Sequence, residues 1–433
     1  MVPARGRLTA VTAVGQAPQP GAPPAPLRRN RDFLLLWSGA GVSFVGARVS
    51  AVCYPLIVLW HTDSPLAMSV VSFAALLPLL LVQLPAGALA DRWDRRRLMM
   101  VCEAGRALVL GSLAVALALG FVSVAHLAAV AFADTSLAVF YKLAERGAVR
   151  NVVHPAHLGQ ALSQNEARSR AAGLIGQPGG VLLQSAARWA PFTFSALASV
   201  VSLLTLLVIK REFQGERTAR RKLTAEVLDG LRWLLRQRFL RAALVFVALS
   251  NILFQVLALT LIVVVKEEHR SPATLAVILG IGGAGGIVGA LTGGWWVRRL
   301  TQRATLLGGA SAWAVLMSAM AFTREPVVLG LLFAATGFVG SIFNVTAAVY
   351  QVRVTPDALQ GRVAAAMNIV GSGTNTLGSL IGGLLLTAWG GGATLHAVGA
   401  AMAALALGCA LAPALRTEER TAAAAQPGKD DRP

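Results

Sequence analysis

Long apolar runs, separated by clusters of arginine, constrain this chain more than any other feature. The stretches from Leu66 to Leu84 and from Ile252 to Val265 hold no charged residue. Apolar segments of roughly 20 residues match the ~30 Å hydrocarbon core of a bilayer, where a helix satisfies its own backbone groups. Composition agrees, with 55% hydrophobic and 14% charged residues, against about one-quarter charged in soluble domains. An all-α membrane protein is the expectation, which excludes most soluble enzyme classes.

The formal charge of +19 would suggest a nucleic-acid partner in a soluble chain. Here the cations sit between apolar runs, where topology determination explains them, so no nucleic acid is expected. Cys53, Cys102 and Cys409 are far apart in apolar runs and read as small buried hydrophobes. Of the six histidines only His154 and His157 are close, and in a loop; neither a metal site nor a cofactor is expected. A Gly-x-x-x-x-Gly-Lys-Ser/Thr phosphate loop is also missing, which argues against ATP as the energy source.

Length allows twelve spans, beginning near Phe33, Ala67, Leu98, Ser123, Ser163, Phe192, Ala242, Ala273, Ala304, Pro326, Val363 and Leu395. Of the 39 Lys and Arg, only Arg188, Lys266, Arg270 and Arg324 fall on odd-numbered connections and only Arg48, Arg106, Arg168 and Arg170 inside spans. Lys142 and Arg146 count with the connection after span four. This asymmetry places both termini in the cytoplasm. Residues 1–30 and 414–433 are expected to be disordered cytoplasmic tails, 31–209 and 242–413 two six-helix halves, and 210–241 a cytoplasmic linker. Leu223, Val227, Leu228, Leu231, Trp233, Leu234 and Leu235 in that linker have the spacing of a surface-lying amphipathic helix.

An internal repeat supports the two halves. The run Gly87-Ala-Leu89-Ala-Asp91-Arg92-Trp93-Asp94-Arg95-Arg96-Arg97 recurs as Gly289-Ala-Leu291-Thr-Gly293-Gly294-Trp295-Trp296-Val297-Arg298-Arg299. Glycine, leucine, tryptophan and the last two arginines keep an offset of 202 residues, the parallel-repeat pattern of one large class of secondary transporters.

The first copy resembles the signature loop of the major facilitator superfamily, with Asp94 where a glycine is usual. The whole version from Pro85 looks closest to the macrolide-efflux and enterobactin-efflux exporters of drugs and siderophores. Arg29-Asn-Arg-Asp-Phe33, Gln164-Asn-Glu-Ala-Arg168, and Pro356 with Leu359, Gly361, Arg362 and Val363 are similar to that group too, so the resemblance covers about Leu27 to Leu411. It implies the major facilitator fold and a gating role for the loop, carried to Gly87, Asp91, Arg92 and Arg96. Arg95 and Arg97 are assigned to lipid headgroups. Gly173, Gly176, Pro178 and Gly180 of span five resemble an antiporter Gly-Pro motif, with Gln177 interrupting it; a simple packing kink stands beside that reading.

Ionisable residues inside spans are functional candidates by default. Arg48 in span one and Asp134 in span four are expected to meet in the central cavity, either as a protonation site on Asp134 or as a static pair. Glu166 is a second candidate carrier. The i,i+3 pair Glu103–Arg106 and the i,i+4 pair Glu166–Arg170 read as structural. Asn251, Gln255, Asn344, Gln351, Asn368 and Asn375 are candidate cavity amides in a C-terminal half poor in charge.

The expected function is proton-coupled efflux of a lipophilic drug, natural product or siderophore by a monomer in the cell membrane. The substrate would be a small molecule exchanged for protons. An importer of a small metabolite is the alternative, and a non-transporting sensor a further one.

Overall fold

The computed structural model describes residues 27–209, 213 and 223–412, and every element in it is helical. The two expected tails, and the first part of the linker, lie outside the described residues except at 27–30. Among the described residues, eight helices are long and apolar enough to cross a membrane. Their surfaces are inverted relative to a soluble protein: Leu108 (74%) and Leu291 (80%) are exposed, whereas Glu103 (0%) and Arg106 (1%) are buried. Apolar side chains outside and charge inside suit a lipid environment.

The N-terminal half comprises α1 (Arg31–Thr62), α2 (Pro65–Leu81), α3 (Gln83–Arg92), α4 (Arg95–Ala118), α5 (Val124–Val152), α6 (Leu158–Ala186) and α7 (Ala190–Val208). α2 and α3 meet at Val82, four residues beyond Pro78 in α2. Asn30 starts α1: its side chain accepts from the N–H of Phe33 at 3.1 Å and donates to the carbonyl of Val152 at 2.9 Å. The Arg29–Phe33 segment therefore pins the start of α1 to the end of α5. Asp94, the departure from the signature loop, caps α4 by accepting from the N–H of Arg97 at 2.9 Å, as Asp does well at helix starts.

α8 (Leu223–Arg236) lies between the halves in sequence, but it packs on the C-terminal half. Its Leu234 is buried with Leu240, Val363 and Ala366, and Asp229 lies 3.7 Å from Arg362. The C-terminal half follows as α9 (Arg238–Glu267), α10 (Pro272–Arg299), α11 (Gln302–Met320), α12 (Pro326–Val354) and α13 (Gln360–Leu411). α13 has two arms joined at Gly390, whose φ of 73° is a conformation glycine adopts without strain. The second arm begins at Gly391, whose N–H donates to Glu267 Oε1 at 2.9 Å.

The repeat seen in the loops extends to the helices. Shifted by 202 residues, α5 falls on α12 and α6 on the first arm of α13. The halves accordingly meet through two equivalent pairings, α2 against α13 and α6 against α10. At the Asp63 end they are tied more tightly: Lys266 of α9 donates to Asp63 and to the carbonyl of Leu59, both at the end of α1, and sits 5.9 Å over the Trp60 ring.

Candidate functional site

Three buried ionisable residues of the N-terminal half, Glu103, Arg106 and Asp134, form one cluster. Arg106 of α4 donates from Nε to Asp134 Oδ1 of α5 at 2.8 Å and from Nη1 to Ser43 Oγ of α1 at 2.7 Å. The other Asp134 oxygen accepts from Ser50 at 3.1 Å and Tyr54 at 3.0 Å, both on α1. Glu103 completes the cluster, its Oε2 3.6 Å from Arg106 Nη1. All three charged side chains are no more than 5% exposed. Neither Glu103 oxygen nor Arg106 Nη2 has a hydrogen-bond partner among the described residues.

This geometry corrects the expected Arg48–Asp134 pair. Asp134 faces α1 at the level of Ser50 and Tyr54, and its cation comes from α4. Arg48 is on another face of α1, against α6: a Cβ on Gly176 would sit 2.5 Å from Arg48 Cβ, and one on Gly173 4.0 Å from Arg48 Nε. Its side chain is exposed. The Glu103–Arg106 pair forms as its spacing implies, yet it is part of this larger cluster. Glu166 is exposed and pairs with Arg170 at 3.1 Å, away from Asp134.

A second buried pair was not anticipated. Arg168 of α6 donates to Glu145 of α5 at 2.5 Å and to the carbonyl of Trp37 at 2.9 Å, with the Phe44 ring 5.2 Å from its guanidinium carbon. Arg168 ends the Gln164–Arg168 segment, and its spacing held no clue to a partner on α5. Lys142 and Arg146, counted as loop cations, lie on α5 itself, which continues to Val152.

Two arginines of the signature loop brace it against neighbouring backbone carbonyls. Gly87, Asp91 and Arg92 belong to α3; the Asp91 side chain lies outside the described residues. Arg96 donates to the carbonyls of Leu206 and Leu207, both at 3.1 Å, at the end of α7, where a cation also complements the helix dipole. Arg95 donates to the carbonyls of Gly147 and Phe213, both at 3.3 Å, so protein carbonyls rather than lipid headgroups hold it. Arg97 is exposed.

In α6, Gly176 and Gly180 press against α1: a Cβ on Gly180 would lie 2.7 Å from the Val49 carbonyl oxygen. Pro178 instead faces α10, near Gly280. The Gly173–Gly180 cluster therefore seats α6 between α1 and the opposite half. The six amides separate into groups. Asn251 and Gln255 of α9 pack on Gly371 and Gly378 of α13. Gln351 lines an apolar groove with Tyr350, Phe343, Leu234 and Met367. Asn344 and Asn368 are exposed and Asn375 half-buried.

The chain matches the family described as transmembrane secretion effector over residues 21–430. It is similar to the multidrug efflux pump Tap of Mycolicibacterium fortuitum, 28% identical over 403 residues that span 90% of this chain and 97% of that pump. The pump of the same name in Mycobacterium tuberculosis (strain ATCC 25618 / H37Rv) is 28% identical over 401 residues, 90% and 94% of the two chains. Among solved structures, the nucleoside transporter NupG aligns with a TM-score of 0.73 over 89% of this chain and 99% of its own, at 14% identity. A D-xylose–proton symporter gives 0.64 over 89% and 98%, at 14% identity. At such identity these structures speak for the fold alone.

Proposed function

The chain belongs to the transmembrane secretion effector family of major facilitator transporters, and from that premise we propose that it is a proton-coupled exporter. It crosses the cell membrane twelve times with both termini in the cytoplasm, α2 with α3 and each arm of α13 serving as one crossing. It expels an amphiphilic drug, natural product or siderophore by rocking the two halves about a midplane site. The similarity to multidrug efflux pumps along nearly their whole length supports the outward direction.

The observation that carries proton coupling is the charge balance of the buried cluster: two carboxylates, Glu103 and Asp134, share the single guanidinium of Arg106. With both acids ionised the cluster would hold a net negative charge away from water, which costs several kcal/mol. One bound proton neutralises it. Asp134 is the better solvated acid, with three donors at 2.8–3.1 Å, while Glu103 has only the more loosely placed hydroxyls of Ser43, Ser199 and Ser202 beside it; the proton therefore rests on Glu103. When the halves rock, a small shift of Arg106 toward Glu103, using its spare Nη2, exchanges the favoured partner and releases the proton. Because Ser43, Ser50 and Tyr54 are all on α1, movement of α1 against α4 and α5 couples this exchange to access.

The test is proton release from acid-loaded everted vesicles on addition of macrolides, lipophilic cations or catechol siderophores. At least one compound is expected to release protons from wild-type vesicles and not from Glu103→Gln or Asp134→Asn vesicles. Release undiminished in both variants would remove the cluster from the coupling mechanism.

A further inference from the structure

Outside the buried cluster, the N-terminal half holds two cations that no side chain among the described residues pairs with. Arg48 and Lys142 are exposed, and neither has a hydrogen-bond or ion-pair partner among the described residues, in contrast to Arg95, Arg96, Arg106 and Arg168. Both are deep in the molecule. At 1.5 Å per residue, Arg48 is roughly 26 Å along α1 from Arg31 and Lys142 about 15 Å short of the end of α5. Arg48 borders Gly173 and Gly176 of α6, and the ammonium of Lys142 stands in the fields of Arg48, Arg146, Glu145 and Glu166. The two acids do not cancel these cations, since Glu145 is taken by Arg168 and Glu166 by Arg170.

The repeat and the packing of α6 indicate what this face meets. Shifted by 202 residues, Lys142 falls on Asn344 of α12, and both are exposed. The two residues occupy matching positions in the two halves, and α6 beside Arg48 reaches the other half, where a Cβ on Gly283 of α10 would lie 3.0 Å from Leu174 and one on Gly280 3.9 Å from Pro178. The face that carries Arg48 and Lys142 is thus cationic, and the half that α6 meets beside it is neutral. The charge-free runs of α10 and α13, together with the amides, supply that neutral side.

We infer that Arg48 and Lys142 bind the charged group of the substrate, and that the substrate is an amphiphilic organic anion whose apolar body lies against the C-terminal half. This rests on the transport reading above and narrows it, since a lipophilic cation would meet uncompensated like charge. A guanidinium and an ammonium together suit a carboxylate, sulfonate or catecholate: Arg offers a planar fork and Lys a movable point charge. Where water is partly excluded, such a pair attracts an anion far more strongly than it would at a protein surface.

The experiment measures binding to the full chain in nanodiscs, with taurocholate as the amphiphilic anion and tetraphenylphosphonium as the lipophilic cation. Taurocholate is expected to bind more tightly than tetraphenylphosphonium. Arg48→Gln and Lys142→Gln should each weaken it about tenfold, with Arg48→Lys and Lys142→Arg close to wild type. Thermal unfolding of each variant should match wild type, because neither side chain has a partner to lose. Binding of the cation as tightly as the anion, or anion binding unchanged in both Gln variants, overturns the inference. So does displacement of taurocholate by phosphatidylglycerol added to discs of neutral lipid, which would assign the cations to a lipid headgroup. Proton release from vesicles is read separately: release by cations alone would overturn the anion site and leave proton-coupled export standing. Charge-dependent taurocholate binding without proton release would do the reverse.

Discussion

The two halves share a backbone plan and differ in what they bury. Shifted by 202 residues, Glu103, Arg106 and Asp134 correspond to Thr305, Gly308 and Thr336. Both threonines are buried, and each bonds a carbonyl of its own helix, Thr305 to Thr301 at 3.1 Å and Thr336 to Phe333 at 2.7 Å. Around them Trp313 packs with Phe246, Phe254 and Phe343. At these positions the C-terminal half is thus apolar and uncharged, whereas the N-terminal half concentrates charge whose balance depends on three helices keeping their places. Under the proposed proton coupling, the titrating groups of the mechanism all belong to the first half.

The largest predicted effect tests that asymmetry directly. Arg106→Met leaves Glu103 and Asp134 without their cation and should destabilise the protein by about 3–5 kcal/mol, seen as loss of monodisperse protein or a large fall in Tm. In the other half, Asn251→Leu should cost less than about 1 kcal/mol, since side-chain hydrogen bonds within membranes contribute little on average. Equal losses in the two would erase the distinction.

Next in size, glycines of the two halves should differ according to what an added Cβ would meet. A Cβ on Gly285 would lie 1.9 Å from the Ala334 carbonyl oxygen, a backbone atom, whereas one on Gly173 meets only Arg48 Nε at 4.0 Å. Gly285→Ala should therefore lower stability by about 1–3 kcal/mol, and Gly173→Ala should leave the unfolding midpoint near wild type. Loss of the α4 cap in Asp94→Ala should cost about 1 kcal/mol, measured the same way. The smallest effect belongs to the tie between halves: Asp63→Asn keeps a residue suited to the φ of 54° but removes the charged partner of Lys266, which keeps the Leu59 carbonyl. Exposed pairs contribute about 0.2–1 kcal/mol, so a shift of up to about fivefold toward separation at that end is expected. Spin-label distances across it would measure the shift.

Much of the architecture was legible because apolar runs and arginine clusters are local signals. The span starts placed near Phe33, Ala67, Ala273 and Pro326 fall at the starts of α1, α2, α10 and α12, and the 202-residue offset in one loop extends to whole helices. Where the signal needed three dimensions it failed. That Asp134 pairs with Arg106 and not Arg48 depends on which face of α1 turns toward α5, and both arginines are on neighbouring helices of the same half. Lys142 was lost for a different reason: a charge near the end of an apolar run reads as a loop, while α5 continues ten residues further. Glu103 was seen but assigned to a local pair, because its shortage of partners is visible only once α1, α4 and α5 are assembled.

The most direct test of the central claim compares substrate accumulation driven by a pH gradient with gradient-free exchange of labelled for unlabelled substrate, in proteoliposomes carrying wild type, Glu103→Gln or Asp134→Asn. If the buried cluster carries the proton, both variants lose gradient-driven accumulation and keep exchange within a few-fold of wild type. Full gradient-driven accumulation in both would contradict the account.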